Sequence, residues 1–156
     1  MAINIGLSDK SRKGVVAILT TLLADEYILY TKTRNYHWNV TGPTFHDLHE
    51  FFEAQYDEVD GFIDDIAERI RSLGHPSPGT LAEFVKSTRL VEAPGVVAEA
   101  DAMLADLHAD HESLVRWLRA DLSTCQDKFG DAGTSDFLTG IMERHEKMAW
   151  MLRSSL

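Results

Sequence analysis

The chain has a single cysteine, Cys125, among its 156 residues. No intrachain disulfide can form, and no thiolate cage for a structural zinc ion can be assembled. Basic residues are also scarce: 15 Lys and Arg face 25 Asp and Glu, a formal net charge of −10 with a pI near 5.0. That balance excludes a surface that grips nucleic acid over its whole extent, though not a local basic arm. Long apolar runs are missing. The longest, Val15 to Ala24, has ten residues and two threonines, far short of the roughly 20 that a bilayer crossing needs. The opening Met-Ala-Ile-Asn-Ile-Gly lacks the basic, apolar and small-residue regions of a secretory signal, so a cytoplasmic protein is expected. Strand-like alternation is absent, and the punctuation is confined to Gly42-Pro43, Gly74 to Gly79, Pro94-Gly95 and Gly130 to Gly133.

Between those breaks lie long stretches of helical period. A chain this long buries roughly 68–70% of its unfolded surface, and 44% hydrophobic residues supply an ordinary core. The first helix is predicted from Ser8, as N-cap, to Asn39. The second is predicted from Thr44 to Leu73, with Thr44 and Asp47 spaced as a capping box. A short helical piece fits Leu81 to Thr88. The third long helix is predicted from Pro94 to Cys125, with an apolar stripe of Val97, Ala100, Leu104, Leu107, His111, Leu114, Leu118 and Leu122. The fourth starts near Ser135 and carries Leu138, Ile141, His145, Met148 and Leu152 on one face. The expectation is an all-α protein: one domain over residues 1–156, a four-helix bundle with a short extra helix in the long connection between helices two and three.

The second helix carries the chemistry. Beside the apolar set Phe52, Tyr56, Val59, Ile63, Ile66 and Ile70 runs a stripe of His49, Glu53, Asp57, Asp60, Asp64 and Glu68. One histidine and five acids on one side of a helix repel one another unless something cationic meets them. Two i, i+4 pairs stand out, His49 with Glu53 and Asp64 with Glu68, and each can hold one metal ion from a single face. They cannot share a metal within one chain, because Glu53 and Asp64 lie about 16 Å apart along the axis. However, the midpoint of His49 and Glu68 coincides with that of Glu53 and Asp64, between Glu58 and Val59. Two copies of the helix packed antiparallel about a two-fold axis there would build two identical sites, each shared between subunits. A solvated acidic face is the competing reading of the same spacing. His37 tips the balance. It stands at the end of the first helix, just before the Gly42-Pro43 turn, within reach of His49 and Glu53. Imidazole and carboxylate donors without thiolate suit iron, manganese or zinc.

The run Tyr36-His37-Trp38-Asn39-Val40, followed by Gly42-Pro43, Phe45, Leu48-His49 and Asp64-Asp65-Ile66-Ala67-Glu68-Arg69, resembles the signature of the mini-ferritins. These are the Dps family, named for the DNA-binding protein from starved cells. The resemblance extends through His145-Glu146-Lys147-Met148-Ala149-Trp150-Met151-Leu152 and covers nearly the whole chain. It implies a ferritin-like four-helix subunit assembled as a hollow dodecamer that oxidises Fe²⁺, usually with hydrogen peroxide, and stores the ferric product, protecting against oxidative damage. It implies ferroxidase ligands at a two-fold interface, which fall here on His37, His49, Glu53, Asp64 and Glu68. Many members have aspartate where this chain has Glu53, whose longer arm keeps the carboxylate but can move the metal. At most two iron ions per site are expected, with zinc or manganese as competitors and peroxide or dioxygen as oxidant. Ordinary ferritins use a Glu-x-x-His motif within one subunit, and no acid stands three residues before any of the seven histidines.

Trp38, beside His37, is placed to give up an electron when a radical forms; interface packing is the equal alternative. By the same resemblance, Asp127, Asp131 and Asp136 line a three-fold pore for iron, although acids at a helix N-terminus also answer its dipole. His111 and His145 read as core histidines, and His46, His75 and His108 as surface groups. The only basic cluster is Lys10, Arg12 and Lys13, so DNA binding is expected to be weak or absent and membrane association absent. A nucleoid-associated protective protein with little ferroxidase activity is the alternative, and a plain helical interaction module the third reading.

Overall fold

Asp9–Asn39 form the first of five helices (α1) in the computed structural model, which describes residues 3–156. Residues 1 and 2, part of the stretch read above as no secretory signal, lie outside the described residues. The remaining helices are α2 (Phe45–Ser72), α3 (Leu81–Ser87), α4 (Ala100–Asp127) and α5 (Ala132–Arg153), with no strand among the described residues. α1 packs chiefly on α2, and α4 on α5. The two antiparallel pairs close a four-helix bundle of the ferritin-like kind, and the connection from α2 to α4 carries α3 across α1.

Local chemistry accounts for the ends. Ser8 caps α1 by accepting from the Ser11 N–H at 3.0 Å. α2 stops at a Schellman turn: Gly74, at φ +89°, lets its N–H reach Arg71 O and the next N–H reach Ile70 O. α3, only seven residues long, has a full capping box between Thr80 and Glu83. The box expected at Thr44 is not formed. Thr44 sits at φ −99°, ψ 16° and makes no side-chain cap bond, because the Gly42-Pro43 turn already delivers the chain close to helical geometry. α4 begins at Ala100 and not at Pro94. Gly95 takes φ +76° and Val96 N–H bonds back to Ala93 O at 3.2 Å, a turn that a right-handed helix cannot pass through. Val97, expected in the apolar stripe, is accordingly 70% exposed. α5 begins three residues before Ser135, because Asp131 serves as its cap.

The core is lined by Leu19, Leu22, Leu23 and Leu29 of α1, Phe52, Val59 and Ile66 of α2, Leu104, Leu107 and Leu114 of α4, and Leu138 and Leu152 of α5. Each fully buried side chain of this size contributes about 1.5–3 kcal/mol of transfer free energy. By length and composition α1 could cross a membrane, which its ten-residue apolar run did not suggest. Half of its most apolar window is buried inside the bundle. Polar groups enter the core only in partnership. His111 and His145 face each other through Nδ1 atoms 2.9 Å apart, and His145 Nε2 lies 2.8 Å from buried Glu26. The crossing segment is held by Asp25, fully buried, which accepts from Thr88 Oγ1, the Arg89 N–H and the Arg89 side chain. Arg89 also reaches Asp121 at 3.3 Å and stacks over Trp117.

Candidate metal centre

The last turn of α1 and the second turn of α2 face each other because only five residues separate the helices. One of them, Gly42, takes φ +111°. The end of α1 is anchored on its other side by ion pairing. Lys32, almost completely buried, reaches Asp110 at 2.6 Å and Asp106 at 3.2 Å. Tyr36 donates its phenol hydrogen to Asp106 at 2.6 Å; burial first, then that bond, push the phenol pKa well up. The residue after it, His37, is therefore held on a braced turn.

His37 is buried, His49 half-buried and Glu53 exposed. The two imidazoles stack with centroids 3.7 Å apart and planes 19° apart. Their hydrogen bonds are reciprocal: His37 Nδ1 meets His49 O at 2.7 Å, and His49 Nδ1 meets His37 O at 2.8 Å. A carbonyl oxygen only accepts, so each Nδ1 carries the hydrogen, which leaves Nε2 of each ring as the atom available to a metal. Outer hydrogen bonds of this kind orient metal-binding histidines. One donor atom from each of His37, His49 and Glu53 lies within 4.8 Å of the others, the only group of three acids, histidines or cysteines so placed among the described residues. Two imidazoles and one carboxylate with open positions suit Fe²⁺.

Asp64 and Glu68 do not join this group within the chain. Both are exposed farther along α2 and form no ion pair among the described residues. Trp38 is 64% exposed, with the Arg34 guanidinium 5.2 Å above its ring. Asp127 and Asp136 are exposed on either side of the α4–α5 turn. Asp131 does not stand with them. It is 3% exposed and accepts from Thr134 N–H at 2.9 Å, Thr134 Oγ1 at 2.6 Å and Arg69 at 3.1 Å. Its carboxylate caps α5 and pairs with Arg69.

Sequence reasoning missed the Lys32–Asp106–Asp110 anchor, although the i, i+4 spacing of the two acids was a signal. It also missed Arg34, which packs over the rings of Tyr30, Trp38 and Tyr56 together. Tyr56 presents its ring edge-on to His37 at 5.3 Å, and burial, then the charges of Glu53 and Asp57, push its phenol pKa up. In the basic cluster, Lys13 pairs with Asp9 at 2.8 Å, and Arg12 is drawn onto Leu73 O and Asp9.

Residues 16–156 match the model of the ferritin-like domain. The chain is 49% identical over 152 residues to a low temperature-induced protein of Nostoc sp., covering 97% of this chain and 85% of that one. It is 38% identical to the DNA protection during starvation protein 2 of Bacillus anthracis, over 92% and 97% of the two chains. The crystal structure of a Dps protein from Vibrio cholerae, described as a member of a broad superfamily of ferritin-like diiron-carboxylate proteins, superimposes with a TM-score of 0.90. That match is at 30% identity and covers 99% of this chain and 96% of the other.

Proposed function

The chain belongs to the Dps family of ferritin-like proteins, and on that premise we propose that it oxidises Fe²⁺ and stores the ferric product inside a hollow dodecamer. The observation that carries this reading is the His37–His49–Glu53 cluster, with both imidazoles locked in the metal-ready tautomer. A three-donor site at the bundle surface is half of a centre. The symmetric spacing along α2 supplies the other half as Asp64 and Glu68 of the partner subunit, across a two-fold axis near Glu58 and Val59.

Fe²⁺ is the substrate. The Nε2 atoms of His37 and His49 and the carboxylate of Glu53 hold one ion, and the partner's acids add hard oxygen donors that bind the ferric product more strongly. Crowded carboxylates favour a bound cation, because it relieves their mutual repulsion. Hydrogen peroxide accepts two electrons, so two Fe²⁺ at one centre reduce it to water without releasing hydroxyl radical. This ties iron storage to protection and makes peroxide the preferred oxidant. Zinc and manganese compete for the same donors. Asp127 and Asp136 are assigned to the route by which iron enters; Asp131, buried as a cap, is left out of it.

The place of action is the cytoplasm, and DNA binding is weak or absent. The starvation-protection relatives are named for DNA protection, but here two of the three clustered cations already share Asp9.

The test is anaerobic loading with Fe²⁺, followed by peroxide, with absorbance of the ferric product as readout. His49→Ala and Asp64→Ala are each expected to remove the rapid phase, although the two residues lie far apart in one chain. Oxidation by the wild type no faster than in buffer overturns the reading. Loss in His49→Ala with full activity in Asp64→Ala overturns the shared site alone.

A further inference from the structure

Behind the His37–His49 pair the aromatic rings do not end. His37 meets the edge of Tyr56 at 5.3 Å, with planes 81° apart. Tyr56 meets Tyr30 at 5.9 Å and 90°, Tyr30 meets Tyr27 at 6.0 Å, and Tyr27 stacks on Phe84 of α3 at 4.4 Å. Aromatic pairs in contact have centroids about 4.5–7 Å apart, so every step of this file is a ring-to-ring contact. It runs along the α1–α2 seam, and its three phenols are partly exposed. None of the three phenol hydroxyls donates a hydrogen bond to a protein acceptor among the described residues; the Tyr30 oxygen accepts from Arg34 at 2.6 Å.

We propose that Tyr56, Tyr30 and Tyr27 form an electron relay that supplies the second electron when a single Fe²⁺ at the His37–His49–Glu53 cluster meets peroxide. The proposal rests on the ferroxidase reading above and adds a donor to it. One Fe²⁺ becomes Fe³⁺ and gives one electron. One tyrosine loses an electron from its ring and its phenol proton to solvent, becoming a neutral tyrosyl radical. Peroxide takes both electrons and two protons, its O–O bond breaks, and two waters form. Half-loaded sites then release no hydroxyl radical.

The placement of Arg34 favours tyrosine over Trp38 as the donor. Its guanidinium lies 5.2 Å over the Trp38 ring. An indole that loses an electron first becomes a radical cation, which a fixed positive charge over its face opposes. A phenol loses its proton with the electron and stays neutral, so the same charge over Tyr30 and Tyr56 costs it little.

The experiment loads the assembled protein anaerobically with less than one Fe²⁺ per site, adds peroxide, freezes the sample and records the electron paramagnetic resonance spectrum. A spin trap in a parallel sample counts escaping hydroxyl radical. Wild type and Trp38→Phe are expected to give a tyrosyl radical and little trapped radical. Tyr56→Phe is expected to lose the tyrosyl signal and raise the trapped radical. Tyr30→Phe is expected to confine the radical to Tyr56. These variants keep every ring, and helical circular dichroism with assembly mass checks their folding; if Tyr56→Phe fails to fold, Tyr30→Phe carries the test. Normal iron oxidation with no tyrosyl radical, with a radical on Trp38 alone, or with a signal indifferent to both tyrosine variants overturns the relay and leaves the ferroxidase standing. Iron oxidised by the wild type no faster than in buffer overturns both.

Discussion

His111 and His145 share the bundle core with Glu26, and the way they are satisfied makes the protein sensitive to acid. His145 bridges the other two, while His111 Nε2 and the second Glu26 oxygen have no partner. Burial first, then the charge of His145, hold the His111 pKa well below its ordinary 6.5. In the folded chain His111 therefore stays neutral as pH falls, whereas in the unfolded chain it takes up a proton below about pH 6.5. Above that pH both states leave it neutral and its titration contributes nothing. Below it, stability falls by up to about 1.4 kcal/mol per pH unit for one proton. The thermal unfolding midpoint is expected to drop from pH 7 to pH 5, and His111→Gln to flatten that drop by one proton's worth. An equal drop in both proteins would show that His111 is not the group responsible.

At the scale of the element, the three acids around the α4–α5 turn separate into two kinds. Asp131 caps α5 and pairs with Arg69, whose side chain is 29% exposed. Removing the cap costs about 1–2 kcal/mol, and the ion pair adds less because solvent screens the arginine. Asp131→Ala is thus expected to lower the unfolding midpoint in urea. Asp127→Asn and Asp136→Asn should leave that midpoint in place and slow iron uptake when Fe²⁺ is scarce. Stability loss in the exposed pair, with uptake unchanged, would reverse the assignment. The residue types alone did not separate the two roles, since an acid one step before a helix serves a cap and a pore equally well. The separation needed the rotation that turns Asp131 onto Arg69 of α2.

Over the whole molecule, charge decides which partners are accepted. In the proposed dodecamer, twelve copies at −10 each would carry a formal charge of about −120, and the Lys10, Arg12 and Lys13 cluster is partly neutralised by Asp9. Such a particle would repel duplex DNA, and any residual attraction would weaken as salt rises. No retardation of plasmid DNA is expected in a gel run at physiological salt; clear retardation there would restore the nucleoid-protecting alternative. Mass spectrometry of the intact assembly or light scattering tests the closed shell directly. A monomer at working concentration would leave the His37–His49–Glu53 cluster without its second half.

Four features trace to the sequence alone: helix content, the apolar faces, the acidic stripe on α2 and the nearness of His37 to His49. Each follows from spacing along a regular helix or from the shortness of a turn, which are properties of local chain geometry. The same logic failed at Pro94, where a residue that tolerates a helix start was followed by a glycine that adopted the left-handed region. It failed at Thr44, where the turn made a cap unnecessary. The tautomer of the two imidazoles, the burial of Asp131, the anchor of Lys32 between Asp106 and Asp110, and the file of tyrosines under Arg34 were decided only in the folded chain. Each depends on how side chains from different helices meet, and that is set by the rotation and depth of helix packing, for which no periodicity in one helix carries a record.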